Sequence, residues 1–350
     1  MVHGEPQHEP VLVEEVLAFL GRLGPRRYLD LTLGGGGHAR TILAAFPEAH
    51  LIGVDRDGET LQRTAADLGK EFGDRFRALW ARFDQADLKD GEIVAEKFDG
   101  VLLDLGLSSL QLDDPMRGFG LMQDGPLDLR MDRSGPRTGA DLLRELDEKE
   151  LADLFYRLGD EHRSRAIARA IMERRRVAPI TRTRELADLV ARVIGRGGRG
   201  KRIHPATRVF QALRIQLNDE LGCLERVLPM ADRWLKPGGR LAVISFHSGE
   251  DRRVKRFLRS CADLLALCKK PVVPGPEEKA RNPRCRSARM RVAEKRHPLP
   301  QGQGPRSTLT DSQNSGTGAD TGRTSLPTAD GGRPERPRPV MGLRLASDSD

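Results

Sequence analysis

Four consecutive glycines, Gly34 to Gly37, stand between a short apolar strand and a helix-like run, and they constrain this chain more than any other feature. The strand spans Tyr28 to Leu33 and the helical run begins near His38. A second apolar strand, Leu51 to Val54, then ends on Asp55, 21 residues after Gly34. Glycines let the backbone turn sharply and bring its N–H groups close to a ligand. An acid closing the next strand is placed to accept hydrogen bonds from both hydroxyls of a ribose. The unit predicts a cradle for a nucleoside-bearing cofactor rather than a plain turn.

Two cofactor classes use such a cradle, the nicotinamide or flavin dinucleotides and S-adenosylmethionine. The glycine pattern does not decide, because Ala39 at the sixth position from Gly34 is tolerated by the dinucleotide fingerprint. A third strand, FDGVLLDLGLSS, reaches Asp104, and a late strand, RLAVISFHS, follows the turn LKPGG at 235–239. That PGG-strand unit looks like the class I methyltransferase plan. The donor there lies across the carboxyl ends of the strands, as in other open α/β sheets.

Periodicity gives the order of elements. HEPVLVEEVLAFL, residues 8–20, reads as an extended entry followed by an amphipathic helix. Strands are expected at 28–33, 51–55, 76–80 and 98–104, with helices between them such as 57–69, a βαβ alternation that predicts a mainly parallel sheet. From Asp113 to Arg137 the chain is loop-like and rich in Gly and Pro. Helical spacing then takes over, as in Leu186, Leu189, Val190, Val193 and Ile194, and again in Phe210, Leu213, Leu217 and Leu221. No strand pattern appears between 113 and 221, after which Leu241 to Phe246 returns to the sheet. The fold expected is therefore α/β, a Rossmann-like class I sheet with an inserted all-helical domain. Residues 1–112 and 216–296 would form the discontinuous sheet domain and 113–215 the insert. Residues 297–350, dominated by Gly, Pro, Ser, Thr and Arg, lack the apolar surface to offset their ordering entropy and are expected to be a disordered tail.

Charge is distributed unevenly. The net charge is +8, yet residues 162–214 hold 15 Arg and Lys against 3 acids. Arg outnumbers Lys there fourteen to one, and its planar fork suits phosphate. Such a span is the electrostatic footprint of a nucleic-acid partner, and 162–214 is the expected RNA-docking surface. Aromatic residues are only 4% of the chain, so stacking platforms must be few. Four cysteines, Cys223, Cys261, Cys268 and Cys285, show no C-x-x-C spacing, which points away from zinc and disulfides and toward a reducing compartment. No metal site is expected. No apolar run approaches the ~20 residues of a spanning helix. A cytoplasmic protein is expected, with no membrane partner and with a homodimer among the open options.

Seven blocks, in order, carry a family resemblance: HEPVL at 8–12, DLTLGGGGHA at 30–39, LLDLGLSSLQLDDPMRGFG at 102–120, DGPLDLRMD at 124–132, HPATRVFQALRIQLNDEL at 204–221, LKPGGRLAVISFHSGEDR at 235–252 and NPRCRSARMRVAEK at 282–295. Together they closely resemble the ribosomal RNA small-subunit methyltransferase H family, also called MraW. The resemblance implies an S-adenosylmethionine-dependent enzyme that methylates the exocyclic N4 of a cytidine in the decoding region of 16S rRNA, within the small subunit. It implies cofactor contacts at Gly36, Gly37, His38, Asp55, Phe83, Asp104 and Gln111. Departures from the family pattern are Leu110 for a common proline, Gly249 for a leucine and Ala39 for a serine.

The chemistry asks for little covalent machinery, but a cytosine amine is a poor nucleophile and needs an acceptor for its N–H. Asp104, at a strand end before GLSS, is the best-placed acid and the candidate base. The D/N-P-P-Y/F clamp common among amino methyltransferases is absent, since the chain reads DLGLSS. His247 and Ser248 could line the cleft, with Ser248 alternatively capping a helix near Glu250. No proline–cysteine pair closes a strand, which argues against covalent attack at ring carbon 5. The rival readings are a dinucleotide-dependent oxidoreductase and a non-catalytic RNA-binding assembly factor.

Overall fold

The computed structural model describes residues 10–21, 27–195 and 204–298. Helix α1 (Val13–Leu20) precedes β1 (Arg27–Asp30), α2 (Gly37–Ala45), β2 (His50–Asp55), α3 (Gly58–Phe72) and β3 (Phe76–Trp80). Two short helices, α4 (Ala86–Lys89) and α5 (Gly91–Ala95), lead to β4 (Phe98–Asp104). A helical stretch follows: α6 (Ser109–Asp113), α7 (Gly139–Glu145), α8 (Glu148–Gly159), α9 (Ser164–Val177), α10 (Thr183–Ile194), α11 (Thr207–Asn218) and α12 (Glu220–Trp234). The chain then closes with β5 (Leu235–Ser245), α13 (Ser248–Ser260), β6 (Leu264–Ala266), α14 (Pro276–Arg281) and β7 (Arg289–Lys295).

The sheet order is β3-β2-β1-β4-β5-β7-β6. Neighbours from β3 to β5 pair in parallel, and β7 runs antiparallel to both β5 and β6. This is the Rossmann-like class I arrangement. The strand order reverses between β1 and β4, and in open α/β sheets ligands bind at the carboxyl ends of the strands flanking such a reversal.

The sequence logic is visible in the packing. The central strands are apolar on both faces, because helices cover both sides of a parallel sheet. One face gathers Leu29, Val101, Leu103, Val227 and Trp234, and the other Tyr28, Ile42, Leu51, Leu102 and Ile244. Residues 119–213 assemble a further core around Phe155, Ile167, Leu186 and Leu213, with no strand between 113 and 221 among the described residues. The expected boundary at 215–216 falls inside α11.

Three expectations need correction. LKPGG is not a turn before the late strand but part of β5: Leu235 pairs with Phe98 and Arg240 with Gly100, so the residues between them form a bulge. The sequence reading also assigns no strand to 264–266 or 289–295, where β6 and β7 lie. The helix after β5 starts at Ser248 rather than near Glu250, because the cap is His247, whose Nδ1 accepts the Gly249 N–H at 3.2 Å. The predicted tail lies, from residue 299 on, outside the described residues, as do residues 196–203 of the basic span. No described helix is long and apolar enough to cross a membrane.

Candidate active site

The glycine bend connects β1 to α2 at the switch point. Gly36 has φ of +75°, and a Cβ there would come within 2.7 Å of Thr64 Cγ2 and 2.9 Å of Leu68 Cδ1, so α3 packs directly on the bend. A Cβ on Gly35 would meet nothing within 4 Å, so that side faces open space. Gly37 lies against Pro10.

Asp55 closes β2 with both carboxylate oxygens oriented by backbone. Oδ2 accepts the Gly34 N–H at 2.7 Å and Oδ1 the Asp57 N–H at 2.9 Å. The first bond ties the bend to the acid, the association inferred from spacing. Each oxygen keeps a further lone pair for a ligand hydroxyl. Burial pushes the Asp55 carboxyl up, with the two N–H bonds opposing.

Asp104 closes β4. Its N–H donates to Thr32 Oγ1 at 2.6 Å, and its Oδ2 lies 3.4 Å from His38 Nε2 on α2. His38 is buried, which opposes its protonation, but Asp104 beside it, with Asp30 and Glu278 adding, leaves its pKa raised. Asp104 Oδ1 is buried and lacks a hydrogen-bond partner among the described residues. In a native structure such an atom calls for an explanation, and a bound polar ligand is one.

Sequence reasoning missed Asp30, at the carboxyl end of β1. It is 1% exposed, and burial lifts its carboxyl to about 6, with His38 and the Thr32 N–H opposing. Three carboxylates, Asp30, Asp55 and Asp104, thus close β1, β2 and β4, and two of them, Asp30 and Asp104, act on the His38 imidazole. The signal in the sequence was an acid inside the apolar run YLDL.

The remaining expected residues sit differently. Gln111 is buried in the first turn of α6, donating from Nε2 to Asp57 Oδ2 at 2.8 Å while its Oε1 accepts the Ser108 N–H at 3.1 Å. Asp57, itself the cap of α3, also receives Arg117 Nη1 at 2.7 Å. Gln111 therefore joins the strand-two turn to the start of the helical stretch. Phe83 follows β3 in a turn and packs half-buried on the sheet core. His247 Nε2 lies 3.2 Å from Glu250 Oε1, and Ser248 Oγ donates to Asp160 Oδ2 at 3.3 Å, so both engage protein groups.

A separate cavity of about 490 Å³ lies at the start of α3, lined in part by Asp57, Leu61, Trp80 and Arg133. It includes neither the glycine bend, Asp55 nor Asp104. No group of three or more His, Cys, Asp or Glu among the described residues could hold a metal ion.

Comparison with known proteins shows the family to which the chain belongs. Residues 5–296 match the MraW methylase family. A protein of Crocosphaera subtropica named ribosomal RNA small subunit methyltransferase H is 47% identical over 291 residues, covering 83% of this chain and 89% of that protein. One of the same name from Methylorubrum extorquens is 45% identical over 337 residues, covering 86% and 95%.

Proposed function

Because the chain belongs to the MraW methylase family, we propose that it transfers a methyl group from S-adenosylmethionine to the exocyclic N4 of a cytidine in the decoding region of 16S rRNA, within the small ribosomal subunit. The observation that carries this reading is the bond from Gly34 N–H to Asp55 Oδ2, which fixes a carboxylate beside an open glycine bend at the switch point. The name shared by the relatives supports the substrate.

When bound, the donor supplies a methyl group already activated on a sulfonium. What is left to the protein is alignment and exclusion of water. Gly36, Gly37, His38, Asp55, Phe83, Asp104 and Gln111 are the residues assigned to the donor. Asp55 would take the ribose hydroxyls, and Gln111 would act through Asp57, which it orients. Asp104, whose side chain is partly exposed at the strand end, is the acceptor for the cytosine N–H and the destination of its proton. His38, with its raised pKa, balances the carboxylates around it.

The helical insertion, 113–215, is assigned to the RNA. Arg163, Arg175 and Arg208 donate to backbone carbonyls, which leaves their charge uncompensated. Arg182 and Arg214 instead pair with Asp124 and Glu220. Arg165, Arg176 and Arg192 are exposed and show no ion-pair partner among the described residues. The docking field is thus narrower than a count of arginines suggests. Such a substrate places the protein in the cytoplasm.

The test is methyl transfer from labelled donor to small subunits purified from cells lacking this protein, with the product nucleoside identified by mass and by co-elution with N4-methylcytidine rather than 5-methylcytidine. N4-methylcytidine at one decoding-region position is expected. Folded protein that binds subunits without transferring methyl would instead favour an assembly factor, and a bound nicotinamide absorbance an oxidoreductase.

A further inference from the structure

Amino methyltransferases that carry D/N-P-P-Y/F hold the target base on an aromatic ring supplied by the loop after the strand-four acid. This chain has no such ring in DLGLSS. The sheet supplies one from next door. Asp104 is in register with Ile244, and Leu105 N–H donates to the Ile244 carbonyl at 3.0 Å. The ladder thus continues past both strands and brings Gly106 alongside Phe246. A Cβ built on Gly106 would lie 3.6 Å from Phe246 Cδ2.

Phe246 is held firmly. Its N–H donates to Glu250 Oε2 at 2.8 Å, and the buried Glu250 carboxylate also takes the His247 N–H at 3.3 Å. The residue is half-buried and packs on the core that includes Ile244. Asp104, paired with Ile244, stands two positions before Phe246 on the same side of the sheet, and its Oδ1 is buried without a hydrogen-bond partner among the described residues. No other Phe, Tyr or Trp follows β4 or β5 within three positions. The exposed Trp80 and Tyr156 lie elsewhere, on β3 and α8.

Resting on the functional reading above, we propose that Phe246 is the stacking face for the target cytosine, setting the plane of the base so that its amine meets Asp104. The division of labour is the one a D/N-P-P-Y/F loop performs, but acid and ring come from two adjacent strands. Stacking accepts any base, so discrimination against uracil rests on the amine acceptor.

The test compares full-length Phe246→Leu and Phe246→Tyr with wild type on small subunits, with calorimetry of S-adenosylhomocysteine and melting temperature measured alongside. Phe246→Leu should lose about 10- to 100-fold in kcat/KM, the size of one base–aromatic stack, with the calorimetric affinity unchanged. Phe246→Tyr should stay within about threefold of wild type by keeping the ring. A folded Phe246→Leu protein of wild-type activity overturns the role of the ring alone. Wild type that transfers no methyl overturns the functional reading and this role with it. Should Phe246→Leu fail to fold, wild type is irradiated with subunits carrying 5-iodocytidine at the target position. A cross-link at Phe246 supports the stack, and one confined to other residues overturns it.

Discussion

A methyl group added at Gly36 has nowhere to go, since Thr64 and Leu68 already occupy the space and φ is positive. Gly36→Ala should therefore cost about 2–4 kcal/mol of stability, read as a lowered denaturation midpoint. Gly35→Ala, next door but facing open space, should leave the midpoint nearly unchanged and weaken S-adenosylhomocysteine binding in calorimetry. Asp55→Asn keeps an acceptor for one of its two backbone donors and turns an NH2 toward the other. Donor affinity should drop at least ~10-fold, a size typical of a buried donor left unpaired. Asp30 makes a pH prediction. Its folded pKa, about 6, is raised above the ordinary 3.8, so the fold favours the protonated form. That contribution is full below pH 3.8 and is lost as pH rises through 6. Asp30→Asn should then be more stable than wild type at pH 8, by up to about 3 kcal/mol, with the gap closing toward pH 4. Equal pH profiles for the two proteins would sink this account. Of these residues the sequence made Asp55 and the glycines legible through fixed spacing, whereas Asp30 was hidden because a lone acid in an apolar strand carries no periodic mark.

Between elements, the critical link is Arg117. Its Nη1 pairs with Asp57 and its Nη2 donates to the Met131 carbonyl at 2.8 Å, joining the cap of α3 to the loops that open the helical stretch. Burial works against the Asp57 charge, yet Gln111 and Arg117 hold its carboxyl below the ordinary value. The pair therefore stabilises above the unfolded carboxylate range and is lost as pH falls through the lowered folded pKa. Arg117→Met should cost about 3 kcal/mol or more at pH 7, because a buried carboxylate loses its counter-ion, and the difference should narrow in acid unfolding curves. Helices and parallel strands were legible at this scale because their apolar periods are long and clean. Strand β7 was not: Met290 and Val292 alternate inward, but the buried Ala293 breaks the alternation and Arg289, Arg291, Glu294 and Lys295 fill the rest of a seven-residue run. The bulge in β5 was read as a turn because Pro-Gly-Gly signals turns locally, and only pairing on both sides with β4 reveals otherwise.

Across the whole molecule, the insertion carries the excess positive charge and the sheet carries the acids of the cleft. Subunit binding should weaken linearly in log–log plots against salt, and Arg176→Gln should reduce the slope by about 1 if that exposed guanidinium meets a phosphate. A filter-binding series at several salt concentrations decides it, and an unchanged slope removes Arg176 from the interface. The overall plan, sheet interrupted by helices, was readable from where strand patterns stop and resume. The partners that individual arginines find in three dimensions were not, since carbonyl acceptors leave no trace in sequence. The interruption also has a history in time. Strand β4 finds its second neighbour, β5, only after about 130 further residues have been made, which at typical elongation rates takes on the order of ten seconds. Through that delay the VLLD segment carries one bare edge, ready to pair with any stray strand. The nascent chain is therefore most exposed to aggregation, and most in need of a chaperone, while the helices between β4 and β5 are being synthesised.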